Sequence, residues 1–273
     1  MRAAAVVQLK DCNSHGGALK LHRGAIFGEV SIAPLQQQSL AILPISKAGT
    51  ALAISNLSLG VAADLPCSTG RGGARNRADR ESHALTAAHV ANLRAAERHA
   101  ATIGLPFTRM ITIHWEAAGV PLASMAKATG RFTGLLAKFL ARNCCRSAWI
   151  WTHENAPRQT GDKGGHCHLL VHVPREHVKA LTALQKGWLR SITGNPYRAG
   201  VIYSEPIGGR LGLERGNPAL HLANLQVTIS YICKGARQSV LDANGIDRRH
   251  KPGGRVIGKR CGASQNVGPK ARQ

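Results

Sequence analysis

Between residues 107 and 234 the spacing of apolar residues switches repeatedly between a period of two and a period near 3.6, and this order of switching limits the folds open to the chain. Residues 107–115 (FTRMITIHW) alternate and are β-branched, which predicts a strand. Pro121 then opens a helix to about Arg142, with Met125, Phe132, Leu135, Leu136, Phe139 and Leu140 as its apolar stripe. A second strand is expected over 148–154 (AWIWTHE), a polar Pro/Gly turn over 155–165, and a third strand over 166–173, stopped by Pro174. Residues 175–193 repeat a helical stripe through Val178, Leu181, Leu184, Trp188 and Leu189, 200–203 read as a short strand, and 218–234 as a further helix. Upstream, 82–103 also carries helical spacing and ends at Gly104-Leu105-Pro106.

Strand, helix, strand, strand, helix, strand is the split β-α-β arrangement, so the expected class is α+β: a ferredoxin-like antiparallel sheet with helices on one face. The added helix, which carries Tyr231, is expected to cross the other face. Residues 81–240 form this domain. Residues 1–80, rich in Ala, Ser, Leu and Gly with weak periodicity, read as a poorly ordered extension, and 241–273 as a basic C-terminal tail.

Charge narrows the partner class. The chain has 36 Lys/Arg against 14 Asp/Glu, a formal net charge of +22. Five of those cations and three of those anions lie in residues 1–69, which leaves 31 against 11 beyond them. An excess of that size attracts polyanions and releases counterions when it binds them. The cluster Arg237, Arg248, Arg249, Lys251, Arg255, Lys259 and Arg260 is expected to hold a DNA backbone without reading its sequence. Seven cysteines with no C-x-x-C pair argue against a disulfide framework or zinc ribbon. No apolar run is long enough to span a membrane and no signal-peptide layout opens the chain, so a soluble cytoplasmic protein is expected. Gly253-x-x-x-x-Gly258-Lys259 lacks the Ser/Thr of a phosphate loop, Arg260 standing in its place.

Two patterns carry chemistry. His166 and His168 are separated by one residue on a predicted strand, so their side chains share a face and can chelate one divalent ion. A third ligand is expected from the end of the preceding strand, either His153 or Glu154. Two imidazoles and a carboxylate leave positions open for a phosphate oxygen and suit Mg²⁺ or Mn²⁺, although zinc can also be held. Tyr231 and Lys234 lie three apart on one helix face. A phenol is a weak nucleophile with a pKa near 10, and a nearby ammonium favours its phenolate. Attack on a phosphodiester would store the bond energy as a 5′-phosphotyrosine, so the strand can be rejoined without ATP.

In this order the stretches 110–115 (MITIHW), 165–171 (GHCHLLV) and 229–234 (ISYICK) resemble the three motifs of the HUH endonucleases, in particular the rolling-circle replication initiator (Rep) proteins of small plasmids and filamentous phages. The resemblance covers about residues 105–240. It implies a metal-dependent nick at a replication origin and later strand closure, with Tyr231 as nucleophile, His166, His168 and Glu154 as metal ligands, and Lys234 assisting the tyrosine or holding phosphate. Single-stranded or hairpin origin DNA is the implied substrate, and a host helicase and polymerase the implied partners. The sequence departs from the pattern in the small middle residue Cys167 and in its single tyrosine, Val227 lying one turn before it. A transposase or relaxase with the same chemistry, and a non-catalytic nucleic-acid-binding ferredoxin-like module, are the competing readings.

Overall fold

The computed structural model describes residues 80–143, 145–155 and 164–273. The expected extension over 1–80 lies outside these residues, Arg80 excepted. The described chain runs β1 (Glu81–Ser82), α1 (Ala87–Thr102), β2 (Arg109–Ile113), α2 (Met125–Arg142), β3 (Trp149–Glu154), β4 (His166–Val171), α3 (Val178–Thr193), β5 (Ile202–Pro206), α4 (Leu213–Gly216), α5 (Pro218–Cys233), α6 (Gln238–Ala243), β6 (Val256–Ile257) and β7 (Cys261–Ala263). Single 3₁₀ turns at Leu122–Ser124 and Arg175–His177 lead into α2 and α3. Each follows a proline whose fixed φ suits the entry to a helix.

Five strands form one antiparallel sheet in the order β5-β2-β4-β3-β7. Its first four strands have the spatial order of the split β-α-β unit, so the expected α+β class holds. Alternation along the strands divides the core in two. Ile111, Ile113, Trp151, Cys167, Leu169 and Val171 face α2 and α3, where they meet Phe132, Leu136, Leu140, Leu181 and Leu189. Phe132 and Trp188 pack edge to face there, with centroids 5.5 Å apart. Such fully buried side chains each contribute about 2 kcal/mol through the apolar area they remove from water.

On the opposite face Ile150 and Leu170 meet Val90, Leu93 and Ala96 of α1 and Leu225, Ile229 and Ile232 of α5. The tyrosine-bearing helix therefore does cross the second face, and α1 lies there with it. Helices are thus present on both faces. Leu105 and Phe107 belong to this second core, which explains why the chain turns back at Gly104 after α1. α5 starts sharply: the Asn217 side chain accepts a hydrogen bond from the Leu220 N–H at 3.0 Å, and Pro218 fills the first helical position.

The basic tail expected over 241–273 is corrected by the structure. β7 pairs with β3 and adds a fifth strand, Thr152 opposite Cys261 and Ile150 opposite Ala263. β6 pairs with β1. Gly262 is required where it stands, because a Cβ there would meet the Trp151 ring at 2.7 Å. Arg260 is corrected with it: 2 % exposed, it does not face a DNA backbone. Its guanidinium donates to the Ser82 hydroxyl at 2.8 Å and to the carbonyls of Ser82 and Gly254, tying β1 to the loop before β6. A charge clothed in carbonyl oxygens can be buried at tolerable cost, and here it fastens the last part of the chain to the domain. Among the described residues no helix is long and apolar enough to cross a membrane.

Candidate metal centre

The register of the hairpin strands decides which side chains converge. Glu154 lies directly opposite His166, and Thr152 opposite His168. Glu154 therefore shares a face with both histidines, whereas His153 points to the other side. Glu154 Oε2 is 3.4 Å from His166 Nε2 and 3.8 Å from His168 Nε2. The three candidate ligand atoms lie within 4.8 Å of one another and could hold a metal ion. Adjacent ligands about 2.1 Å from one ion sit ~3.0 Å apart in an octahedral site and ~3.4 Å apart in a tetrahedral one, so the carboxylate oxygen stands near enough to each imidazole to share a cation after small side-chain shifts.

Both imidazoles are held so that Nε2 faces the group. His166 Nδ1 is 2.9 Å from the Gly164 carbonyl oxygen. A carbonyl only accepts, so Nδ1 carries the proton and Nε2 offers its lone pair. His168 Nδ1 is 3.0 Å from the Thr112 hydroxyl on β2, which fixes the second ring. Partners on the far nitrogen are what orient metal-binding histidines. Burial, aided by the Lys234 ammonium, pushes His168 down to about 3, so it is neutral and available as a ligand at physiological pH. Burial pushes the Glu154 carboxyl up, but the Lys234 ammonium together with the His166 and His168 rings outweighs it and holds the carboxyl well below the usual range. Three acceptors thus converge, an arrangement stabilised by a shared positive charge.

Lys234 supplies such a charge. Its Nζ donates to Glu154 Oε1 at 2.7 Å, lies equally close to Oε2 and is 3.4 Å from His168 Nε2. Lys234 is 5 % exposed, and burial pulls its pKa down against the opposing pull of Glu154. The same Nζ lies 3.8 Å from the centroid of the Tyr231 ring, a cation–π contact. Tyr231 is half-buried at the end of α5, its ring centroid 5.0 Å from that of His168 and 5.0 Å from the Arg248 guanidinium carbon. The structure thus brings together Glu154, His166, His168, Tyr231 and Lys234.

The expected DNA-contact residues divide. Arg248 and Lys251 lie beside the centre, the Lys251 N–H donating to the Lys234 carbonyl at 2.9 Å. Arg237, Arg249 and Lys251 are exposed. Arg255 is exposed but paired with Glu81, and Lys259 lies 5.8 Å from the Trp151 ring, which faces α2 and α3. Trp149 and Trp151 belong to that core rather than to a base-stacking surface.

His153, the alternative third ligand, has a different task. Its Nδ1 donates to the Lys259 carbonyl at 2.9 Å, and its Nε2 accepts from the Thr129 hydroxyl at 2.8 Å. That hydroxyl in turn accepts from Trp115 Nε1 at 2.8 Å. The chain of bonds joins β3, α2 and the segment before β7. Burial pushes His153 down to about 3 from its ordinary 6.5. Above pH 6.5 the ring is neutral in both folded and unfolded chains. Below it the unfolded chain takes up a proton that the folded one refuses, and stability falls by about 1.4 kcal/mol per pH unit from this residue alone. Urea denaturation of wild type and His153→Gln at pH 6.5 and 5.0 should show a shallower pH dependence in the variant, by about 2 kcal/mol over that interval. An unchanged dependence would remove His153 as an acid-sensitive group.

Thr112 and the Gly164 carbonyl were not legible as parts of the centre. Thr112 comes into place only through the register of β2 with β4, which puts it opposite His168. His172 hydrogen-bonds the Pro106 carbonyl at 2.7 Å and is not one of the grouped ligands. Cys167 faces the α2/α3 core, where burial raises its thiol to about 12 and leaves it unreactive. No protein-family model, no curated protein and no solved structure matches this chain.

Proposed function

We propose that this chain nicks and rejoins DNA strands in a metal-dependent reaction through a 5′-phosphotyrosine intermediate, as rolling-circle replication initiators do. The observation that carries the reading is the convergence of Glu154, His166 and His168 with a tyrosine whose ring lies 5.0 Å from His168. Neither half suffices alone: a lone ligand triad suits many metal proteins, and a lone helix tyrosine suits none in particular. The net charge of +22 supports a polyanionic substrate.

In this reading Glu154, His166 and His168 would hold Mg²⁺ or Mn²⁺, and the bound ion would supply Lewis-acid polarisation of the scissile phosphate. The Tyr231 oxygen gives up its proton and attacks phosphorus in line, the bond from phosphorus to the 3′-oxygen breaks, and that oxygen takes up a proton and departs as the 3′-hydroxyl, so the exchange has no net proton change. The phosphate then rests on Tyr231 until a 3′-hydroxyl returns and reverses the exchange. Lys234 stands between Glu154 and the Tyr231 ring, where it can pass its charge from the carboxylate to the phosphate (a role that needs only side-chain movement). Arg248 and Lys251 take backbone phosphates beside the centre.

The test is a denaturing gel of the protein incubated with labelled single-stranded or hairpin DNA. A covalent adduct is expected with Mn²⁺ and none with EDTA. An adduct that ignores the chelator would contradict the metal, and its absence across a broad set of sequences would contradict the reaction.

A further inference from the structure

Five rings form a row on the sheet face that carries the metal ligands. Tyr203 of β5 lies opposite Thr112, and Thr112 opposite His168, so all three share this face. The Tyr203 and His114 centroids are 5.8 Å apart, those of His114 and His166 5.4 Å, those of His166 and His168 4.8 Å, and those of His168 and Tyr231 5.0 Å. The row therefore runs from the edge strand of the sheet to the candidate nucleophile. Burial rises from the edge as far as His168: Tyr203 is 50 % exposed, His114 and His166 are half-buried and His168 is buried, while Tyr231 at the far end is again half-buried.

We infer that the outer end of this row, Tyr203 with His114, is a stacking platform for unpaired bases of single-stranded DNA, which leads the strand to the centre. The inference rests on the nicking reading above and adds the path that the strand takes. Every base has a π face, so a ring platform accepts unpaired bases of any sequence, whereas bases inside a duplex are stacked on each other and cannot use it. Tyr203 meets His114 edge to face at 88°, which leaves ring surface toward solvent. The substrate's negative charge is matched by the cationic excess of the chain beyond residue 69. A strand laid along the row would bring a backbone phosphate to His166 while its bases rest on the rings before it.

Fluorescence anisotropy with a labelled single-stranded oligonucleotide, in EDTA so that no chemistry intervenes, tests the platform. Tyr203→Ala should weaken binding roughly tenfold, as loss of one stacked base does, with the slope of log Kd against log salt unchanged. Tyr203→Phe, which keeps the ring, should bind within about twofold of wild type. Duplex affinity should not change in either variant. Tyr203→Ala binding single strands as wild type does, Tyr203→Phe failing to restore binding, or an equal loss on duplex would each overturn the platform. Because this assay involves no cleavage, it separates the two readings. Loss of binding in Tyr203→Ala with no adduct from wild type would sink the nicking reaction alone, and an adduct from wild type with unaltered Tyr203→Ala binding would sink the platform alone.

Discussion

Tyr231→Phe should form no covalent adduct with DNA under conditions in which the wild-type chain forms one, a drop of roughly 10⁴-fold or more in adduct rate, as expected when a nucleophile is removed. The substitution takes away one oxygen and little else. The Phe ring can keep its edge contact with His168 and its place beneath the Lys234 ammonium, since both contacts are made by the ring and not by the hydroxyl. Thermal stability should therefore shift by less than about 1 kcal/mol, the scale of one lost half-exposed hydroxyl bond. Mn²⁺ binding should persist, because Glu154, His166 and His168 are all unchanged. An adduct of equal yield in Tyr231→Phe would place the nucleophile elsewhere. Loss of adduct together with loss of folding would be visible in the same melting curve.

The second large effect belongs to Lys234→Met. The methionine keeps much of the stem volume but leaves Glu154, itself 5 % exposed, without its ammonium partner. Removing one member of a buried ion pair costs about 3–5 kcal/mol, because the other charge stays buried and unpaired. For a domain of this size that is a fall of about 10 °C in Tm in the presence of EDTA. Glu154 then loses the strongest of the groups that hold its carboxyl low, leaving only His166 and His168 against burial, and its pKa rises. Mn²⁺ should restore much of the lost stability, since a divalent cation on Glu154, His166 and His168 supplies the missing charge. The stabilisation by Mn²⁺ should accordingly be larger in Lys234→Met than in wild type. A variant as stable as wild type in EDTA, or one that Mn²⁺ does not rescue, would contradict the electrostatic account of the centre.

The antiparallel sheet and its helices could be read from the sequence because long segments kept one period. Phe132, Leu136 and Leu140 mark α2 without help from tertiary contacts, and Ile111 and Ile113 mark β2. Short elements could not be read that way. β7 has three residues and its central one is Gly262, so it carries no alternation, and its neighbour Arg260 suggests solvent while being buried. For that reason the sequence beyond residue 240 reads as a tail although it supplies the fifth strand. At the centre, the shared face of His166 and His168 followed from alternation alone. The choice between His153 and Glu154 did not, because it depends on the strand register that pairs Glu154 with His166. One residue of slip would have put His153 beside the histidines. Thr112 and Tyr203 needed the register of two further strand pairs, which no local pattern encodes.

The claim on which the rest depends is that one divalent cation sits on Glu154, His166 and His168 beside Tyr231. Anomalous diffraction from a crystal soaked in Mn²⁺ tests it most directly. The expected result is a single strong peak about 2.1 Å from Nε2 of His166, Nε2 of His168 and a carboxylate oxygen of Glu154, with the Lys234 ammonium moved off that oxygen. Manganese bound only at exposed carboxylates or histidines elsewhere, with the bond from Lys234 to Glu154 intact, would contradict it.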